Sequence, residues 1–230
     1  MRPYIFWYNV PVDKCESQTI KVLQKAYPNA KTALNFKTPL ELLIATILSA
    51  QCTDKRVNIV TGSLFKKYKT VKDYASVNLK AFQKEISSIN FYNNKAKNII
   101  NSAKIIIKDF QGKVPDSMEE LIKLPGVGRK TATVVLYNAF NKISGITVDT
   151  HVMRVSQRLG FTSHTTPEKI EMDLMEIFPK QLWGKLSHLL IYHGRSICIA
   201  RKPKCPKCPL KKSCPSYPIF MKKFYFSHPA

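Results

Sequence analysis

The chain has 230 residues, 44% of them apolar and 23% charged, which is ordinary globular composition and excludes a disordered or fibrous protein. Its 37 basic and 15 acidic residues leave a formal charge of +22, so a polyanion is the first partner to consider, with nucleic acid ahead of an anionic membrane. The longest apolar run, Leu40 to Ala50, is interrupted by Glu41 and falls short of the roughly 20 residues needed to span a bilayer.

In chain order, the opening MRPYIFWYNV has one arginine, no apolar core and no small-residue cleavage site, so no secretory signal is expected and a reducing, cytoplasmic location follows. Apolar spacing near 3.6 then predicts helices over Glu16–Tyr27, Pro39–Ser49, Asp54–Tyr68, Asn93–Asp109, Ser117–Leu124, Arg129–Phe140, Asp149–Leu159, Pro167–Ile177 and Gln181–Cys198. Pro39 and Pro167 sit where a first turn tolerates proline. Ser117 with Glu120 reads as a capping box. No alternating run bounded by hairpin turns is present, so the fold class is all-α, and Pro215 to Ala230 reads as a loose tail.

Charge is unevenly spread. No acidic residue follows Glu176, and residues 177–230 carry 11 basic ones, Arg201 and Lys202 among them. Basic residues without acidic partners form a phosphate-contacting surface. The alternative, a solvated basic face, needs no ligand.

Cys198, Cys205, Cys208 and Cys214 have the spacing C-x6-C-x2-C-x5-C. Disulfides would staple little here and do not suit a reducing compartment. Four thiolates around one metal centre remain, either a [4Fe–4S] cluster, which accepts unequal loops, or a tetrahedral zinc. Cys15 and Cys52 lie far off and read as buried thiols.

Residues 121–132 read LIKLPGVGRKTA, and Gly126 and Gly128 are two of only eight glycines. Glycine permits positive φ and close backbone approach, and an uncovered helix N-terminus favours a phosphate. The turn therefore reads as a helix-hairpin-helix that grips a nucleic-acid backbone without reading sequence, the alternative being a plain connector. Lys130 starts the second helix, where a positive charge opposes the helix dipole; it is a phosphate contact or a Schiff-base nucleophile. Nineteen residues later VDTHVMR places Asp149 ahead of a helix, as an N-cap or as a carboxylate that handles protons and steadies a cationic sugar. His151 reads as structural or as a hydrogen-bond orienter.

Together LPGVGRKTA, VDTHV-x-R and the cysteine spacing closely resemble the endonuclease III family of helix-hairpin-helix DNA glycosylases, and SAQCTD at 49–54 and FYNNKAKNI at 91–99 are similar to two further family segments. The resemblance spans about residues 15 to 217. It implies two helical lobes with a DNA-binding cleft: a six-helix barrel over 34–145 carrying the hairpin (about 117–140), and a discontinuous lobe of 1–33 plus 146–217 that holds the [4Fe–4S] cluster on Cys198, Cys205, Cys208 and Cys214, followed by a tail, 218–230.

It also implies that Lys130 is the nucleophile and that Asp149 faces it across the cleft. Gln51 would enter the gap left in the DNA stack, and Phe91 would act as the wedge, where the family usually has leucine. Gly126, Gly128, Arg129, Arg201 and Lys202 would hold phosphate. The Lys130–Asp149 spacing is one residue longer than in familiar bacterial members, an extra residue placed in the Asn141–Gly145 loop. The implied function is a bifunctional glycosylase and AP lyase that removes oxidised pyrimidines from damaged double-stranded DNA and cuts 3′ to the abasic site by β-elimination. It would act as a monomer, away from membranes. A monofunctional mismatch glycosylase, whose relatives generally lack lysine at position 130, and a non-catalytic DNA-binding module are the alternatives.

Overall fold

The computed structural model describes residues 12–226, and the opening MRPYIFWYNV lies outside them. Helices account for all the regular structure among these residues: α1 (Val12–Ala26), α2 (Pro39–Ser49), α3 (Asp54–Lys67), α4 (Val71–Ser76), α5 (Leu79–Glu85), α6 (Tyr92–Phe110), α7 (Met118–Leu121), α8 (Arg129–Phe140), α9 (Thr150–Arg158), α10 (Pro167–Ile177), α11 (Trp183–Ser196) and α12 (Tyr217–Phe226). None is long and apolar enough to cross a membrane.

Short polar side chains set the helix starts. Thr38 accepts from the Glu41 amide with Pro39 in the first turn of α2, Thr53 accepts from Arg56, and Asn78 from Ala81. Thr70 and Asp73 satisfy each other's backbone reciprocally and start α4. The predicted box at Ser117 is half formed. Ser117 Oγ accepts from the Glu120 amide, while the Glu120 carboxylate takes the Ser117 hydroxyl and not its backbone N–H.

Two short helices, α4 and α5, went unpredicted, and the predicted loose tail is a helix over most of its length. α12 tolerates Pro218 in its first turn, and the residues after it, IFMKKFYF, contain no helix breaker. The Phe220 ring lies 4.6 Å from the Arg158 guanidinium carbon.

The chain divides into two compact units, one made by Thr32–Ser144 and the other by the described residues up to Lys31 and from Gly145 onward. In the first, Leu42 through Leu48 are all buried, so α2 is its central helix. α8 and α6 pack against α2, α4 and α5 against α6. Burial of each such leucine or isoleucine contributes about 1.5–3 kcal/mol. Cys52 packs against this core but is partly, not fully, buried, and the Cys15 side chain lies outside the described ones.

The second unit gathers α1, α9, α10 and α11 around Val152, Val155, Leu186, Leu189 and Leu190. Gly194 lets α11 approach α9, since a Cβ there would lie 3.0 Å from the His151 Cβ.

Candidate functional site

The hairpin is built from its apolar anchors outward. Leu121, Leu124 and Val127 are buried, and the Val127 amide donates to Leu124 O at 3.0 Å. Between them the chain turns at Gly126, whose φ of +79° is left-handed and whose missing Cβ leaves room for Asn98 Nδ2, which would otherwise lie 2.7 Å away. Both facts require glycine. Gly128 has an ordinary φ of −87°, and nothing lies within 4 Å of a Cβ built there. Its glycine keeps the surface in front of the turn open. Gly128 is the N-cap of α8 and, having no side chain, makes no side-chain cap hydrogen bond there. Arg129 and Lys130 follow on its first turn, both exposed.

Asp149 is the N-cap of α9: its Oδ1 accepts from the His151 and Val152 amides, each at 2.8 Å. The cap holds one carboxylate oxygen and fixes the group; Oδ2 accepts from no described residue. The N-cap reading of Asp149 therefore holds, and the cap commits one of its two carboxylate oxygens. Burial, with help from Arg154 and Arg195, pushes the neighbouring His151 imidazole down, against the pull of Asp149. Arginine has only donors, so the 3.1 Å contact makes His151 Nδ1 the acceptor of Arg154 Nη2 and leaves the proton on Nε2. Lys130 belongs to the unit Thr32–Ser144 and Asp149 to the discontinuous one.

Gln51 and Phe91 are exposed, Phe91 by 62%, and both have left-handed backbones, with φ of 53° and 57°. Two separate loops, one after α2 and one before α6, thus present a side chain from a conformation that residues other than glycine seldom adopt. Sequence reading missed what steadies them: Asn90 and the buried Lys95.

Cys198, Cys205, Cys208 and Cys214 line one cavity, with Arg158 and His193 in its wall. Burial pushes the thiols of Cys205 and Cys208 up, and that of Cys214 up to about 11. Among the described residues no group of three or more His, Cys, Asp or Glu is placed to hold a metal ion. Arg158 Nη1 reaches Cys198 Sγ at 3.4 Å and donates to Ile199 O at 2.8 Å, and Nη2 donates to Ala200 O at 2.7 Å. Arg154 Nε donates to Cys198 O at 3.0 Å. These two arginines, one helical turn apart on α9, pin the loop that carries the exposed Arg201 and Lys202. Their i, i+4 spacing was visible in VMRVSQR, but their backbone partners were not.

The sequence profile of HhH-GPD superfamily base excision DNA repair proteins matches residues 44–180. An endonuclease III of Synechocystis sp. is 50% identical over 87% of this chain and 91% of its own length. The chain belongs to the HhH-GPD superfamily. Among solved structures, a non-covalent endonuclease III–DNA complex is 43% identical, with a TM-score of 0.86 over 93% of this chain and 99% of its own. A trapped endonuclease III–DNA covalent intermediate, an estranged-adenine complex, is 45% identical, with a TM-score of 0.83 over 90% and 98%. The HhH-GPD span contains Gln51, Phe91, the hairpin, Lys130 and Asp149. The four cysteines lie beyond it.

Proposed function

We propose that Lys130 and Asp149 are the reacting pair of this base excision repair enzyme, a bifunctional DNA glycosylase and AP lyase acting on damaged duplex DNA. The observation that carries the reading is an exposed lysine on the first turn of α8, directly behind an open glycine hairpin, in a chain 45% identical to an enzyme trapped covalently on DNA.

The hairpin amides around Gly126 and Gly128, with Arg129, grip phosphate, and Arg201 and Lys202 add a second basic contact. Gln51 and Phe91 fill and wedge the gap left when the damaged nucleotide leaves the stack. The Lys130 Nζ lone pair attacks C1′ as the glycosidic bond breaks and the base departs with the bonding pair. Asp149 takes a proton from the amine and steadies positive charge on the sugar. Ring opening gives an imine between Lys130 and C1′. The imine acidifies the C2′ hydrogen, its loss expels the 3′ phosphate, and water returns the free lysine. The substrates are read as oxidised, ring-damaged pyrimidines and abasic sites, and the protein as a cytoplasmic monomer. Borohydride added during reaction with abasic duplex tests the reading. A covalent protein–DNA adduct mapped to Lys130 is the expected result, and an adduct on another amine overturns it.

The four cysteines are read as ligands of a [4Fe–4S] cluster. The donor set fits in kind: the four thiols line one cavity, and a cluster accepts their unequal spacing. When bound, the cluster supplies structural order and no chemistry at the sugar. Protein prepared without air should be yellow-brown and contain about four irons and four sulfides per chain. Serine at Cys205 or Cys208 should loosen the basic loop and weaken DNA binding. Stoichiometric zinc without inorganic sulfide overturns the assignment.

A backbone grip makes affinity steep in salt and indifferent to flanking sequence. With about four to six phosphates neutralised, log K should fall with log salt at a slope of about −4 to −5. Charge reversal at Arg201 and Lys202 should weaken binding to all duplexes alike. Salt-independent affinity in a binding titration contradicts the grip.

A further inference from the structure

One face of α6 reaches the hairpin turn at Pro125 and Gly126, the end of α2, and Phe91. Phe91 is the N-cap of the helix, and Lys95, Asn98 and Ser102 follow at spacings of four, three and four, a single helical stripe. Asn98 packs into the space over Gly126, and the Ser102 hydroxyl donates to Pro125 O at 2.9 Å. These two contacts hold the hairpin.

Lys95 holds the rest. Its backbone N–H donates to Phe91 O at 3.1 Å, and its side-chain ammonium donates to Leu48 O at 2.8 Å and Ala50 O at 2.5 Å. Both acceptors lie at the end of α2, where the last carbonyls lack intrahelical partners and the helix dipole favours a cation. Lys95 is only 6% exposed. A lysine is rarely buried so deeply, and here its hydrogen-bond partners are carbonyls and not a carboxylate. The next residue after Ala50 is Gln51, in its left-handed turn, and the Gln51 carbonyl accepts from Asn90 Nδ2 at 2.6 Å. A sparsely populated backbone conformation persists where its surroundings over-determine it. Lys95 and Asn90 supply that constraint from the α6 side.

We infer that Lys95 is a positioning residue for lesion recognition: its buried ammonium clamps the end of α2 and so presents Gln51, beside the start of the helix that Phe91 caps. Lys95 itself touches no DNA. The inference rests on the reading of Gln51 and Phe91 as the residues that enter the gap. It separates two properties that the basic surface would otherwise confound. Phosphate grip belongs to the hairpin and the cysteine loop, whereas preference for a lesion over intact duplex depends on the Lys95 clamp.

The test compares duplex containing a stable tetrahydrofuran abasic analogue with the same undamaged duplex. The variants are Gln51→Ala, Lys95→Met, Lys95→Arg and the Gln51→Ala/Lys95→Met pair. A 2-aminopurine opposite the analogue reports by fluorescence whether the gap is filled. Gln51→Ala and Lys95→Met should each lower the preference for the analogue by about ten- to hundredfold, the range set by hydrogen bonds to a charged donor. Affinity of Lys95→Met for undamaged duplex should stay as it was, and both variants should shift the 2-aminopurine signal in the same way. The double variant should be no worse than either single, because Lys95 acts through Gln51. Lys95→Arg, which keeps a cationic donor, should recover most of the preference.

Additive losses, or a Lys95→Met variant that weakens both duplexes equally, overturn the inference while leaving the role of Gln51 standing. If Gln51→Ala alone keeps full preference, the insertion reading falls and the positioning role falls with it. Asn90→Ala removes only the contact to Gln51 O from an exposed position, and covers the case in which Lys95→Met does not fold. The same selective loss supports the clamp, and unchanged preference overturns it.

Discussion

Lys130→Gln is expected to bind abasic duplex and yet neither trap nor cut it. Glutamine keeps similar length and polarity at an exposed position on the first turn of α8, so the helix and the hairpin behind it have no reason to change. The grip comes from the amides around Gly126 and Gly128 and from the basic loop, and none of these is altered. Only the amine is gone. Trapping by borohydride and strand cleavage both pass through the same imine, so both should disappear together, with residual cleavage near that of the uncatalysed strand. Gel analysis of the adduct beside a binding titration separates the two functions. Trapping and cutting at rates near those of the parent protein place the nucleophile on another amine. Base release without any trapping in the parent protein makes the enzyme monofunctional.

Asp149→Asn should slow base release by about two to four orders of magnitude, the range of a positioned acid–base group. The structure makes this a sharper comparison than the sequence did. Asparagine is as good an N-cap as aspartate, and its side-chain oxygen can still accept from the His151 and Val152 amides. The start of α9 should therefore survive, and the melting temperature should change little. What is lost is a carboxylate able to take a proton. Single-turnover base release measured beside a thermal melt gives the answer. Normal turnover with a lower melting temperature would leave Asp149 as a cap alone.

The sequence exposed those parts of the protein whose rules are local. α2, α8 and α10 lie over the predicted residues because Pro39, Gly128 and Pro167 mark their starts through backbone geometry alone. α4 and α5 are six and seven residues long and bury only Val71, Tyr74 and Phe82. No 3.6-residue repeat can establish itself over that length, although Thr70 with Asp73 and Asn78 before Ala81 were readable cap signals. At the site, the hairpin, the lysine and the aspartate each carry a short motif.

The contacts that steady them do not. Lys95, Arg154 and Arg158 donate mainly to backbone carbonyls supplied by distant segments. A carbonyl is present at every residue, so nothing in the composition of the partner marks it. By composition Lys95 belonged with the solvated basic residues, and only its burial shows otherwise.

The discontinuous unit has a consequence for synthesis. α1 leaves the ribosome before the middle segment, but α11, the helix it packs against, is made only after the whole of Thr32–Ser144. That middle segment holds its own core and can close while the chain is still growing. α1 must stay unpaired until then, with Ile20 and Leu23 waiting for Leu186 and its neighbours. The nascent chain therefore carries a helix with an unsatisfied apolar face ahead of a finished unit.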